Sequence, residues 1–193
     1  MKPELAEILQ LPAEQAAPQL LGWQLRRRTS RGPIIAKIVE TEAYHQDDPA
    51  SHSFGGISQR TAPMFKEPGT IYVYFTYGMH YCFNLVCGPA GRGEAVLIRA
   101  LEPLVGVEIM KQYRGIADIH QLTNGPAKAA QALGVVDTTW SGRKIGPKTL
   151  ELLAPALLVR PGQIIRTPRI GIEQAIDLPL RFYIKDNPFV SKK

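Results

Sequence analysis

The sequence predicts an α+β protein: a single domain built on a mostly antiparallel sheet with flanking helices. Three observations carry this reading. Runs rich in β-branched and aromatic residues, bounded by Gly and Pro, dominate from Ile34 to Pro103 and return near the C-terminal end. Helical patterns are short and stand outside those runs. The 193 residues suit one domain and contain no internal repeat, low-complexity tract or linker.

Taken in order, the N-terminal segment K-P-E-L-A-E-I-L-Q-L-P-A-E-Q-A-A-P-Q-L-L-G has helical composition broken by Pro12 and Pro18, which predicts short helices ending near Gly22. Arg26, Arg27, Arg28 and Arg31 then surround a turn at Gly32-Pro33. They read as a solvated strand end or as phosphate contacts. Residues 34–44 form a strand, followed by a polar loop to about residue 69. I-Y-V-Y-F-T-Y and Y-C-F-N-L-V-C flank Gly78 as a hairpin. Residues 94–103 form another strand, stopped by Pro103, and the pattern turns helical from Gly106 to Gly115. Residues 122–134 predict a helix with Thr123 or Asn124 as cap, Pro126 early and Gly134 as stop. Further strands are expected at 157–161, 168–172 and 179–184.

Composition narrows the class. An apolar content of 45% and a charged content of 21% are globular values that exclude wholesale disorder. No run approaches eighteen apolar residues and no basic-then-apolar leader opens the chain, which predicts a soluble, unexported protein. Cys82 and Cys87 are five apart, on opposite faces of a strand, so no disulfide is expected and a reducing cytoplasm fits. The net charge of +6 suits a polyanionic partner, or simply solubility.

Several residues stand out chemically. Strand alternation puts Glu40, Glu42 and Tyr44 on one face and Val39, Thr41 and Ala43 on the other. Two enclosed carboxylates must be paired, protonated or functional; on a strand emerging into solvent they cost nothing. Arg99 interrupts V-L-I-R-A-L, shares a face with Leu97 and Leu101, and either snorkels out or meets a buried acid such as Glu42, with a water held between. His45, Asp47, Asp48 and His52 share one loop, but their spacing matches no metal-binding signature, and no metal or cofactor is expected. Four of seven tyrosines (Tyr72, Tyr74, Tyr77 and Tyr81) crowd around Gly78. They read either as a cross-strand aromatic ladder or as a protruding tip, with Tyr77, Met79 and His80, that wedges between stacked bases while Tyr74 and Tyr44 wall a base pocket. Asn84, mid-strand, needs hydrogen-bond partners and suits either a backbone contact or discrimination of a purine edge.

V-E-T-E-A-Y, A-S-H-S, P-G-T-I-Y-V-Y-F-T-Y-G-M-H-Y-C-F-N, V-L-I-R-A-L-E-P, N-G-P-A-K and P-L-R-F-Y-I occur in that order between about Leu20 and Val190. Together they resemble the alkyladenine DNA glycosylase family, the 3-methyladenine DNA glycosylases of the mammalian type. The resemblance implies a curved sheet with a DNA-intercalating β-hairpin, and a monomer acting on damaged purines in duplex DNA during base excision repair. It implies that Glu42 is the general base and that Arg99 helps to hold the water. Tyr44, His52 and Tyr74 would stack on the flipped base, with the His52 backbone N–H reading its edge. Tyr77 would intercalate, flanked by Met79 and His80, and Asn84 would clash with the 2-amino group of guanine. A bacterial member would work in the cytoplasm, at the nucleoid. Two departures are visible: the Gly55–Phe65 loop is shorter, with Ile57 in place of one arginine and Arg60 matching another, and Ala127 replaces a Gly or Ser.

The helix after Asn124 offers Gly125 and Lys128 as a phosphate clamp, or is an ordinary capped helix. Alternation sets Lys37 opposite Glu42, away from Schiff-base chemistry, so a monofunctional enzyme is expected. The rival classes are a non-catalytic nucleic-acid-binding domain and a metal-dependent nuclease using Glu40, Glu42, Asp47 and His52.

Overall fold

The computed structural model describes residues 4–76 and 78–191. Its spine is one long strand, β2 (Gly32–Tyr44), which borders three others. The first half of β2 pairs with β1 (Gln24–Thr29), nearly its whole length pairs with β5 (Ala95–Val105), and Glu40–Glu42 pair with β8 (Arg181–Ile184). β3 (Ile71–Thr76) and β4 (His80–Val86) extend the sheet beyond β5, and β6 (Leu150–Leu153) extends it beyond β1. β7 (Ile164–Thr167) pairs with β8, and every pairing is antiparallel.

The two prolines act as expected. α1 (Leu5–Gln10) ends before Pro12, and α2 (Ala13–Gln19) carries Pro18 in its last turn. α2 buries Ala13, Ala16 and Ala17, and the Thr41 hydroxyl donates to the Ala17 carbonyl at 2.9 Å. α3 (Val107–Arg114) and α4 (Pro126–Ala132) occupy the two predicted helical segments. The main core joins Ala129, Ala130 and Leu133 to Ile71, Phe83, Ile98 and Phe182 of the sheet.

Some elements depart from expectation. Residues 157–161 and 168–172 are not strands, whereas Leu150–Leu153 and Ile164–Thr167 are. Both strands are only four residues long; β6 (L-E-L-L) also lacks the β-branched signature of the central strands, whereas β7 (I-I-R-T) carries it in a run too short to stand out. Pro103 does not stop β5: it pairs with Ala36 just before an irregularity at Leu104, where a missing N–H is tolerated.

The most consequential feature is a pair of bulges. Ile38 faces Leu101 and Glu40 faces Ala100, so Val39 is an extra residue in β2; Thr41 then faces Ile98, so Arg99 is an extra residue in β5. Before the bulges Ala36, Ile38 and Leu101 point into the main core; after them Thr41, Ala43, Ile98 and Val96 take that side. Strict alternation from Ala36 and Ile38 would drive Glu40, Glu42 and Tyr44 into the core. The bulge turns them to the other face. Val39 consequently lies on that face too, packed with Ala100 and Phe189. Leu101 lies opposite Arg99. Both placements correct the simple alternation.

Gly106 joins β5 to α3 with φ +75°, and a Cβ there would sit 2.5 Å from the Pro33 carbonyl oxygen. Gly106→Ala is therefore expected to cost about 1–3 kcal/mol, read as a lowered melting temperature with unchanged spectroscopic secondary structure.

Candidate active site

The face of the sheet turned away from the main core floors a cleft of about 690 Å³. One cross-strand row sets its floor: Tyr72 pairs with Asn84, Asn84 with Leu97, Leu97 with Glu42. Tyr74 and Cys82 form the next pair outward. Glu42, Tyr44, His52, Tyr74, Asn84 and Arg99 all line this one cleft. They come from four strands and a loop.

Glu42 is fully buried, and each of its contacts is with a donor. Tyr44 Oη donates to Oε2 at 2.8 Å, the Ile170 amide donates to Oε1 at 2.9 Å, and Arg99 Nη1 lies 3.1 Å from Oε1. The carboxylate is thus held as an acceptor in one orientation. Arg99 touches it directly, so the pair does not hold a water between its charged groups, contrary to the expectation from sequence. Burial, and then the neighbouring Glu42 carboxylate, raise the Tyr44 hydroxyl well above the usual phenol range, so Tyr44 stays a donor.

The aromatic walls are cross-braced. His52 meets Tyr74 edge-on, with centroids 4.6 Å apart, and its Nδ1 lies 2.9 Å from Tyr72 Oη. Arg60 Nη2 lies 3.2 Å from His52 Nε2. A guanidinium only donates, so Nε2 is the acceptor and Nδ1 carries the proton. Burial chiefly, and then Arg60, push the His52 imidazole down to about 4. In an NMR titration His52 is expected to stay neutral down to about pH 4, and Arg60→Gln to raise its midpoint; an ordinary midpoint in the native chain would contradict this contact.

Tyr72 is buried and belongs to the braced wall rather than to simple hairpin packing. Tyr81 takes the packing role, 5.1 Å from Phe75. Asn84 Nδ2 donates to the Tyr72 carbonyl at 3.1 Å, which fixes its amide against the strand. Burial pushes the Cys82 thiol, beside Tyr74, up to about 11. Gly78 has φ +68°, Met79 is 71% exposed and His80 is exposed, while Tyr77 lies outside the described residues. Ile57 is also exposed, and Arg60 turns toward His52.

Lys128 lines the cleft beside Gly125, but its ammonium already donates to Gln121 Oε1 and to Asn124 Oδ1, at 2.8 and 2.7 Å. Lys37 does not lie opposite Glu42; the bulge brings it to the same face, where it pairs with Glu102 at 2.6 Å. The loop acids are engaged as well: Asp47 pairs with Arg92, and Asp48 with Arg169. Among the described residues no group of three or more His, Cys, Asp or Glu side chains has a metal-binding arrangement.

Sequence reasoning missed three supports of the site. Arg169 lies 4.6 Å from the Tyr44 ring centroid and donates to the Ala43 carbonyl at 3.1 Å. The Ile170 amide orients Glu42. Arg181 reaches Glu40 at 2.7 Å, the same acid that Arg99 meets through Nε at 3.0 Å. The only local signal was an arginine set among apolar residues in P-R-I-G-I and P-L-R-F-Y-I, the pattern that drew attention to Arg99.

Comparison with known proteins agrees in one direction. A relative from Carboxydothermus hydrogenoformans, named "Putative 3-methyladenine DNA glycosylase", is 49% identical over 177 residues, covering 92% of each chain. A relative from Francisella tularensis subsp. tularensis with the same name is 47% identical over 191 residues, covering 98% of each. One from Methanoculleus marisnigri, also so named, is 44% identical over 178 residues, covering 92% of each. The family model described as Methylpurine-DNA glycosylase (MPG) matches residues 7–188, and the chain belongs to that family.

Proposed function

We propose that this chain is a monofunctional DNA glycosylase that flips damaged purines out of duplex DNA and hydrolyses their N-glycosidic bond. Its substrates on this reading are 3-methyladenine, 7-methylguanine, hypoxanthine and ethenoadenine. The observation that carries the proposal is Glu42: a buried carboxylate on the floor of an aromatic cleft, oriented by three donors, none of which takes it out of the cleft.

The cleft suits a flat, extracted base. Tyr44, His52 and Tyr74 supply aromatic surface, which offsets the cost of unstacking. In the reaction a water oxygen bonds to the sugar C1′ as the C1′–N bond breaks and its electron pair leaves with the base. Glu42 accepts the water's proton and its charge stabilises the oxocarbenium-like sugar. A cationic methylated base departs neutral without further help; a neutral base departs more easily when it gains a proton. Arg99 and the Ile170 amide keep Glu42 aimed, and Asn84, fixed by the Tyr72 carbonyl, is assigned to exclude the 2-amino group of guanine. Met79, His80 and Tyr77 are assigned to the space the base vacates.

No strand cleavage is expected, because the cleft-lining Lys128 amine is engaged by Gln121 and Asn124 and the Lys37 amine is paired with Glu102. Borohydride is therefore expected to trap no protein–DNA adduct. The test is base release, in EDTA, from dimethyl-sulfate-treated duplex and from duplexes carrying hypoxanthine or ethenoadenine opposite thymine. Released base, with an abasic site that breaks only in hot alkali, is expected. Tight binding without release would instead mark a binding module, and chelator-sensitive strand cutting a nuclease.

A further inference from the structure

We propose that Glu40 and Arg181 are positioning residues: a buried, charge-balanced pair that aims Arg99 at Glu42 and sets how much of its charge Glu42 feels. The inference rests on Glu42 acting as the base. Glu40 is fully buried and collects four donors. These are Arg99 Nε at 3.0 Å, Arg181 Nε at 2.7 Å, the Ser191 amide at 2.7 Å and Ser191 Oγ at 2.8 Å.

The guanidinium geometry explains the aim. With Nε fixed on Glu40, the planar fork leaves Nη1 pointing at Glu42 Oε1, at 3.1 Å, and at the Ile170 carbonyl, at 3.4 Å. A lysine in place of Arg99 has no second edge and could not span both acids. Charge explains the second arginine. One guanidinium between two buried carboxylates leaves an uncompensated negative charge, which burial penalises. Arg181 supplies the missing cation, braced 4.7 Å from the Tyr183 ring centroid, and β8 places it directly across from Glu42 in register. The four groups sum to zero, so Glu40 does not draw the charge of Arg99 away from Glu42.

The charged and titratable groups around Glu42 are Arg99 on β5, Glu40 and Tyr44 on β2, Arg181 on β8, Tyr74 on β3 and Cys82 on β4. Arg169 stands behind Tyr44. Of these, only Glu40 and Arg181 can be neutralised while Arg99 stays intact and every wall facing the base is untouched. That makes them a clean electrostatic probe.

The experiment is the single-turnover rate of base release from dimethyl-sulfate-treated duplex, measured against pH for the native chain, Glu42→Gln, Glu40→Gln and Arg181→Gln. Melting temperature and duplex affinity are measured alongside. Loss of release in Glu42→Gln establishes the underlying reading; its retention removes that reading, whatever the other variants do. Given that loss, Glu40→Gln and Arg181→Gln are each expected to slow release roughly 10–100-fold, as outer partners of a reacting group do. They are also expected to displace the acidic limb in opposite directions, by about one pH unit. Removing the negative charge of Glu40 moves the limb to lower pH, and removing the positive charge of Arg181 moves it to higher pH. A purely structural role lowers the melting temperature and leaves both limbs in place, and that result overturns the proposal. Should Arg181→Gln not fold, Arg181→Lys, which keeps the charge, decides: slowed release at native melting temperature and native duplex affinity supports positioning, and native rates, or slowing that only accompanies a lowered melting temperature, overturn it.

Discussion

Glu42→Gln is expected to lower single-turnover base release by about 10³-fold while duplex affinity stays within a fewfold of the native value. The amide is isosteric, and the surroundings can keep it in place. Its oxygen can retain the Ile170 amide and Arg99 contacts made by Oε1, and Tyr44 can rotate its hydroxyl to accept from the new NH₂ at the Oε2 position. The variant loses the capacity to take a proton and the negative charge facing the sugar, and little else. A comparable fall in affinity would indicate that Glu42 acts in binding. An undiminished rate would move the base elsewhere, and Glu40 would not replace it, because its four donors turn it away from the cleft.

The second large effect concerns stability. Asp48 and Arg169 form an ion pair whose two side chains are wholly buried. Arg169 Nη2 donates to Asp48 Oδ1 at 3.0 Å and Nη1 to the other carboxylate oxygen, while Nη1 also holds the Ala43 carbonyl. Asp48→Ala leaves a guanidinium enclosed without its counter-charge, a change that costs about 3–5 kcal/mol. At roughly 2–4 °C per kcal/mol for a chain of this size, the melting temperature is expected to fall by about 6–20 °C. Joining Asp48→Ala with Arg169→Met is expected to cost less than Asp48→Ala alone, since no buried charge is then stranded. A single variant that melts like the native chain would show that water reaches this pair.

The same pair connects stability to the site. Arg169 lies under Tyr44, and the next residue supplies the amide that orients Glu42. The loop leading to His52 and the segment leading into β8 are therefore fastened together beside the reacting carboxylate. Asp48, which in the sequence belongs to a loop of metal-ligand residue types, serves here as a counter-ion. Residue type alone does not distinguish the two roles; the partner does, and it lies 121 positions away.

Much of the fold was legible. The strongest strands announce themselves through β-branched and aromatic runs, and the helices through prolines and glycines at their ends, because these are local steric effects. The four-residue strands β6 and β7 were not legible: β6 (L-E-L-L) becomes a strand by pairing with β1 rather than by side-chain preference, and the β-branched run of β7 (I-I-R-T) is too short to mark its place without its partner β8. Sheet-face assignments were half legible. Two-residue alternation correctly grouped Glu40, Glu42 and Tyr44, and set them apart from Thr41 and Ala43, but it misplaced Val39, Leu101 and Lys37. A bulge exists only between two strands, so neither strand's own sequence displays it.

By itself, then, the sequence determined the α+β class, the local elements with strong steric signals and the set of chemical groups from which a site could be made. Each of these depends on residues within a few positions of one another. Tertiary structure alone decided which of those groups meet. It set two bulges back to back so that Glu42 and Arg99 face a cleft instead of the core. It gave Arg99 two carboxylates, gave Glu40 a second arginine, and placed Tyr72 behind His52. Those contacts join residues 20 to 141 positions apart, and a buried charge is tolerated only where such a distant partner arrives.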